Sequence, residues 1–198
     1  MKLAALAVFL LAATASRHET ATFAGGCFWC MEDAFHDVPG VVSVRSGYTG
    51  GSIQDPTYAQ VSTGTTGHAE SVEVIYDPSK VTYEKLLDVF WGNIDPLAVN
   101  GQFCDHGSQY RTAIFFHDAE QKRAAEESKK RVEEKLRARV ATEIVAATIF
   151  YPAEAHHQDY SRRNPAQYDL YRKGCGRDEL LKQIWGVTPL EQRKESHP

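Results

Sequence analysis

The sequence predicts an α/β fold: a two-layer, ferredoxin-like α/β sandwich with a mixed sheet and an irregular C-terminal segment. Three observations carry that reading. Stretches with strand periodicity alternate with helix-periodic stretches in the order β-α-β-β-α-β-α-β. Two strands, at 41–48 and 70–76, follow one another in the middle of that order, which a split βαβ unit requires and a doubly wound sheet does not. The chain has 198 residues, is 42% hydrophobic and 24% charged, and shows no internal repeat or linker, as suits one domain with an adequate core.

Residues 1–15 stand apart. Met1-Lys2 is a short positive start, Leu3 to Ala13 is wholly apolar, and Ala13-Thr14-Ala15 places small residues where a signal peptidase reads them. The run is shorter than the roughly 20 residues of a membrane span. It is read as a signal peptide, leaving a single domain over 16–198 with its core at 20–186 and a polar tail at 187–198. The expected product is exported, to the periplasm or the exterior, free of the membrane and monomeric.

From there the elements follow in turn. Residues 20–25 form a buried strand feeding Gly25-Gly26. Cys30 to about Asp37 is a short helix with Met31, Ala34 and Phe35 on its apolar side, ended by Pro39-Gly40. Val41 to Tyr48 alternates as a strand does. Residues 51–68 are rich in Gly, Ser and Thr and lack periodicity, the pattern of a functional loop. Glu70 to Tyr76 alternates again, with Glu70 in phase with Val72, Val74 and Tyr76. Thr82 caps a helix whose stripe is Leu86, Leu87, Val89, Phe90 and Ile94. A second irregular segment covers 95–109, and Tyr110 to Phe116 is a strand. Asp118 caps a long charged helix to about Val140, a solvated face with Glu126→Lys130 and Glu127→Arg131 at i,i+4 spacing. Glu143 to Phe150 is the last strand. Residues 152–171 are helical or irregular, and Arg177 to Trp185 is a short helix.

The formal net charge is −4. The one dense basic run, Lys122 to Arg139, is interleaved with glutamates, so nothing points to nucleic acid. The four cysteines are the chemically informative residues. Cys27 and Cys30 are three apart at a strand–glycine–helix junction, where a helix N-terminus favours a thiolate. Cys27 is the candidate nucleophile, with Phe28 and Trp29 as the wall beside it. A zinc site is not expected, because Cys104 and Cys175 are isolated and His156-His157 are adjacent rather than one turn apart. Taken alone, Cys-x-x-Cys also fits a thioredoxin-like dithiol–disulfide oxidoreductase, and four cysteines in an exported chain also fit a binding module with structural bridges.

A series of short motifs extends along the chain. It comprises Gly26-Cys27-Phe28-Trp29, Ser46-Gly47-Tyr48-Thr49-Gly50-Gly51, Pro56-Thr57-Tyr58 and Thr66-Gly67-His68-Ala69-Glu70. It continues with Asp105-His106-Gly107-Ser108-Gln109-Tyr110-Arg111, His157-Gln158-Asp159-Tyr160 and Asn164-Pro165-Ala166-Gln167-Tyr168. Together they resemble, in colinear order over residues 21–171, the A-type peptide methionine sulfoxide reductases. The resemblance implies an α/β sandwich and an enzyme that reduces methionine S-sulfoxide, free or in oxidised proteins, without a bound cofactor. It implies a thioredoxin-like dithiol as electron donor and oxidised peptides or proteins as substrates.

It also implies roles. Cys27 attacks the sulfoxide sulfur and becomes a sulfenic acid. Glu70, with Tyr58 and Tyr110, hydrogen-bonds the sulfoxide oxygen. A carboxyl buried among aromatics is raised in pKa and stays protonated to donate. Asp105 orients that network. Phe28 and Trp29 receive the thioether methyl, and Tyr160 and Tyr168 line the cleft. His68 and His106 are scaffolding. Many family members carry a resolving cysteine just after Asn-Pro-x-x-Tyr, where this chain has Asp169, and many have Gly where it has Cys30. Cys30 is therefore the first choice for the resolving thiol, Cys175 the second and Cys104 the third.

Overall fold

The computed structural model describes residues 18–186. The expected signal segment, 1–15, and the tail, 187–198, lie outside the described residues. The chain opens with β1 (Glu19–Gly25), α1 (Phe28–His36), β2 (Val41–Thr49), the one-turn α2 (Tyr58–Val61), β3 (Ala69–Tyr76) and α3 (Tyr83–Gly92). A small hairpin of β4 (Gly101–Gln102) and β5 (Asp105–His106) precedes β6 (Thr112–Phe116), α4 (Ala119–Leu136) and β7 (Glu143–Ala146). The end is β8 (Tyr151–Pro152) and three helices, α5 (Tyr160–Arg163), α6 (Pro165–Gly174) and α7 (Arg177–Trp185).

The main sheet runs β7-β6-β1-β3-β2-β8. Its inner four strands, β6-β1-β3-β2, pair antiparallel throughout and are the ferredoxin-like core, connected by α1 and α3. The α4 crossover lays β7 parallel to β6, which makes the sheet mixed as expected. Strand alternation assigns the two faces. Phe23, Val72, Val74 and Ile114 point at the helices and are fully buried. Phe23 stacks on Phe35 of α1 and Phe90 of α3, each 5.2 Å between ring centroids, so one aromatic fixes both helices on β1. The opposite face carries small residues, Ala24, Ala69 and Ala113, around Phe115.

Local chemistry sets the element ends. The Thr82 hydroxyl accepts from the Lys85 N–H at 3.3 Å, and the Asp118 carboxylate from the Gln121 N–H at 2.8 Å, as capping residues do. Three boundaries differ from the sequence expectation. The first helix starts at Phe28, two residues early, so Cys30 lies inside it. The long helix stops at Leu136, with Arg137 left-handed at φ 51°, and its i,i+4 ion pairs are Lys122–Glu126 and Lys130–Glu134. The last expected strand, Glu143 to Phe150, ends at Ala146, because residues 147–150 leave one edge of the sheet for the other, where Tyr151–Pro152 pairs as β8.

Candidate active site

The turn that presents Cys27 depends on a glycine. Gly26 has φ +82°, and a Cβ there would lie 2.5 Å from Cβ of Gln102. Cys27 is the N-cap residue of α1 and only 5% exposed. Directly below, Glu70 projects from the helix-facing side of β3, 2% exposed, as its sequence phase requires. The Phe28 N–H donates to Oε2 of Glu70 at 3.0 Å, tying the first turn of α1 to the acid.

A cavity of about 60 Å³ opens above this pair. Its apolar wall is Phe28 and Trp29; its polar wall is Tyr58, Tyr110, Asp105 and Tyr171. Tyr58 comes from α2, whose capping box joins the Thr57 hydroxyl to the Gln60 N–H and the Gln60 amide oxygen to the Thr57 N–H. The Tyr58 N–H in turn donates to Glu154 at 2.8 Å. Tyr110 ends a 3-10 turn that Ser108 and Gln109 fasten to the carbonyls of Gly64 and Ser62. His68 accepts from the Gly51 N–H and donates to the Ile53 carbonyl, so it holds the 51–53 loop as expected of scaffolding. His106 is exposed on β5.

Electrostatics divides the groups by role. Burial raises Glu70 to about 8, with Asp105 and Cys30 adding to the rise, so the carboxyl is chiefly protonated at neutral pH. Burial and the nearby Glu70 also raise Tyr58 and Tyr110, which stay protonated donors. Asp105 is raised by burial, opposed by its bond from the Tyr171 hydroxyl at 2.6 Å.

The two thiols lie together in one buried cluster with Tyr168. Here the structure departs from the helix-terminus expectation for Cys27. Burial pushes the Cys27 thiol up, and Cys30 and Glu70 push it further. Cys30 is lowered to about 6 by the neighbouring Cys27 thiol and by the Arg177 and Arg172 guanidiniums, against the cost of its own burial. The pair thus loses its first proton from the Cys30 side. Arg177 is 2% exposed and donates to the Gly25 carbonyl at 3.2 Å and the Asn93 carbonyl at 2.6 Å. Arg172 bonds Asp178 and the Tyr168 hydroxyl. Cys104 and Cys175 form a disulfide, whereas Cys27 and Cys30 are free and buried.

The structure therefore gathers Cys27, Phe28, Trp29, Tyr58, Glu70, Asp105 and Tyr110, from five separate segments, around one cavity. Tyr160 and Tyr168 stand behind the lining instead of in it. Tyr160 stacks flat on the outer face of Trp29, 3.7 Å between centroids, and Tyr168 is buried under Cys27 and Cys30. Sequence reasoning missed Tyr171, Arg172 and Arg177. The available signal was helical spacing: Tyr168 and Arg172, like Tyr171 and Cys175, are four apart on α6.

Comparison with known proteins agrees with this arrangement. The family model for peptide methionine sulfoxide reductase matches residues 19–188. The chain is 51% identical over 180 residues to the peptide methionine sulfoxide reductase MsrA of Bacillus licheniformis, covering 90% of this chain and 99% of that protein. Among solved structures it resembles methionine sulfoxide reductase A of Corynebacterium diphtheriae, with TM-score 0.72, 37% identity, and coverage of 75% of this chain and 76% of that one. It also resembles reduced Mxr1 from Saccharomyces cerevisiae, with TM-score 0.72, 31% identity, and coverage of 75% and 87%.

Proposed function

The chain belongs to the A-type peptide methionine sulfoxide reductase family, and from that premise we propose how its own residues divide the reaction. It reduces methionine S-sulfoxide to methionine through a cysteine sulfenic acid and an intramolecular disulfide. The observation that carries the assignment is the single small cavity holding the Cys27 sulfur, the protonated Glu70 and an aromatic wall.

The sulfoxide methyl enters against Phe28 and Trp29, and its oxygen meets Glu70, Tyr58 and Tyr110. Glu70 gives its proton to that oxygen, which makes the sulfur electrophilic. The Cys27 sulfur attacks while its proton passes to the neighbouring Cys30 thiolate. In the adduct the sulfoxide S–O bond and the new sulfur–sulfur bond break as the oxygen, with the proton from Glu70, passes to the Cys27 sulfur; methionine leaves, Cys27 is the sulfenic acid, and Cys30 is now the protonated thiol. Cys30 then attacks Cys27, water departs, and a Cys27–Cys30 disulfide remains. With Cys104 and Cys175 bonded to each other, Cys30 is the free thiol beside Cys27 among the described residues. A thioredoxin-like dithiol reduces the disulfide by exchange. No bound cofactor takes part.

The test is mass spectrometry of Cys27→Ser and Cys30→Ser proteins after one exposure to a methionine sulfoxide peptide. Cys27→Ser should produce no methionine, and Cys30→Ser should produce one equivalent and carry one added oxygen on Cys27. Turnover by Cys27→Ser, or a disulfide from Cys27 to Cys175 in the wild type, would contradict this division of labour. Export rests on residues 1–15 alone, and a monomer is the state assumed; N-terminal sequencing of the mature protein and sedimentation check each.

A further inference from the structure

Glu32 lies one helical turn beyond Phe28 on α1, is 1% exposed, and has no part in the chemistry above. It faces three parts of the fold at once. The Ser46 hydroxyl on β2 and the backbone N–H groups of Asp159 and Tyr160 surround its carboxylate. They stop short of full hydrogen-bond geometry, and no other polar group satisfies its oxygens. One turn further along, Nε2 of His36 pairs with Oδ1 of Asp159 at 3.0 Å. At the end of the helix, Arg162 reaches Asp37 at 2.7 Å. Gln158 completes the junction by bonding both the N–H and the carbonyl of Ser46, at 3.0 and 2.9 Å. The outer face of α1 therefore grips the 158–162 segment along its length.

That segment holds the pocket wall. Tyr160 stacks on Trp29 with planes 6° apart. His157 accepts from the Trp29 indole N–H at 3.2 Å and packs on the Phe28 and Tyr58 rings. Asp159 sits between them in the left-handed region, φ 52°, where its backbone N–H can point at α1. Burying a carboxyl without full hydrogen bonds is costly.

We propose that Glu32 is a positioning residue for the substrate pocket: its carboxylate seats the Asp159–Tyr160 backbone, so that Tyr160 and His157 hold Trp29 at the angle that receives the thioether methyl. The inference rests on Trp29 being part of the methyl pocket, as assigned above.

Glu32→Ala is expected to raise KM for a methionine sulfoxide peptide about tenfold, with kcat within about threefold, because the loss falls on substrate seating. Emission from Trp29, isolated by difference against Trp29→Phe, should move to longer wavelength as water reaches the ring. Glu32→Gln keeps an oxygen to face one N–H and should restore most of the KM. Tyr160→Leu should reproduce the KM effect, and the double variant with Glu32→Ala should be no worse than Tyr160→Leu alone. If Glu32→Ala does not fold, His36→Leu, which loosens the outer end of the same clamp, should raise KM about threefold with the same spectral change. An unchanged KM and Trp29 spectrum in Glu32→Ala, or in His36→Leu where Glu32→Ala does not fold, would overturn the proposal, as would full additivity with Tyr160→Leu. Trp29→Ala separates the two readings. If it leaves KM unchanged, the methyl-pocket assignment fails; if it raises KM while Glu32→Ala does not, only the role of Glu32 fails.

Discussion

Glu70 is the residue whose environment most directly sets the pH behaviour of the enzyme. In the proposed mechanism its carboxyl must be protonated to act, and burial raises it to about 8. Activity limited by the sulfoxide step should therefore fall as pH rises through about 8. Glu70→Gln should flatten that alkaline limb and reduce kcat/KM by roughly 10²–10⁴-fold, the range of a lost general acid. The same group links stability to pH. In the folded protein it holds its proton above the unfolded carboxyl range, so its contribution is complete at acid pH and is lost as pH rises through about 8. At pH 9 the glutamine variant should therefore melt higher than wild type, by several degrees, since ~1 kcal/mol moves Tm by about 2–4 °C in a domain of this size. Calorimetry at pH 5 and pH 9 checks it; equal differences at both values would count against a buried acid.

At the level of elements, two short helices with similar caps serve different ends. Thr82 caps α3, which carries core residues Leu86, Leu87 and Phe90 and no site residue. Thr82→Ala should cost about 1 kcal/mol in denaturant unfolding and leave kcat/KM unaltered. Thr57 caps α2, a single turn whose first residue is Tyr58. Thr57→Ala should barely change the unfolding midpoint but lower kcat/KM several-fold, because the turn holding the proposed sulfoxide-oxygen donor Tyr58 loses both bonds of the Thr57 hydroxyl to Gln60. The strand–turn–helix junction combines the two effects. At Gly26 a side chain would be forced to φ +82° and against Gln102. Gly26→Ala should thus cost about 1–3 kcal/mol and also displace Cys27, lowering the rate of methionine formation.

On the scale of the whole molecule, the Cys104–Cys175 disulfide closes a loop with a sequence separation of 71 and ties the β4–β5 hairpin to the end of α6. Asp105 and Tyr171, joined at 2.6 Å, lie within four residues of it on either side. Replacing both cysteines by serine should lower stability by about 2–4 kcal/mol. It should leave a first turnover at Cys27 intact, because neither sulfur lines the cavity. Rapid-quench detection of one equivalent of methionine tests the second half, and loss of that equivalent would place one of these sulfurs in the chemical step. Arg177 performs a non-covalent version of the same task, anchoring α7 to the carbonyls of Gly25 and Asn93.

The sequence by itself pointed to the sandwich and to Cys27 as the candidate nucleophile, while the motif resemblance supplied the proposed role of Glu70. Strand alternation is a period of two, so the in-phase position of Glu70 with Val72 and Val74 was enough to turn it inward. The glycines and the helix that follows marked Cys27 in the same local way. Composition marked the irregular segments 51–68 and 95–109, and the motif resemblance, not spacing, picked out Tyr58, Asp105 and Tyr110 within or beside them. Tertiary structure alone decided which thiol is the more acidic, because the guanidiniums beside Cys30 come from residues more than 140 positions away. It paired Cys104 with Cys175, set Tyr160 and Tyr168 behind the lining, and brought Tyr171 into it. Periodicity reports which way a side chain faces on its own element. Burial, charge partners and cavity walls are sums over elements that meet only when the chain is folded, and no local pattern encodes them.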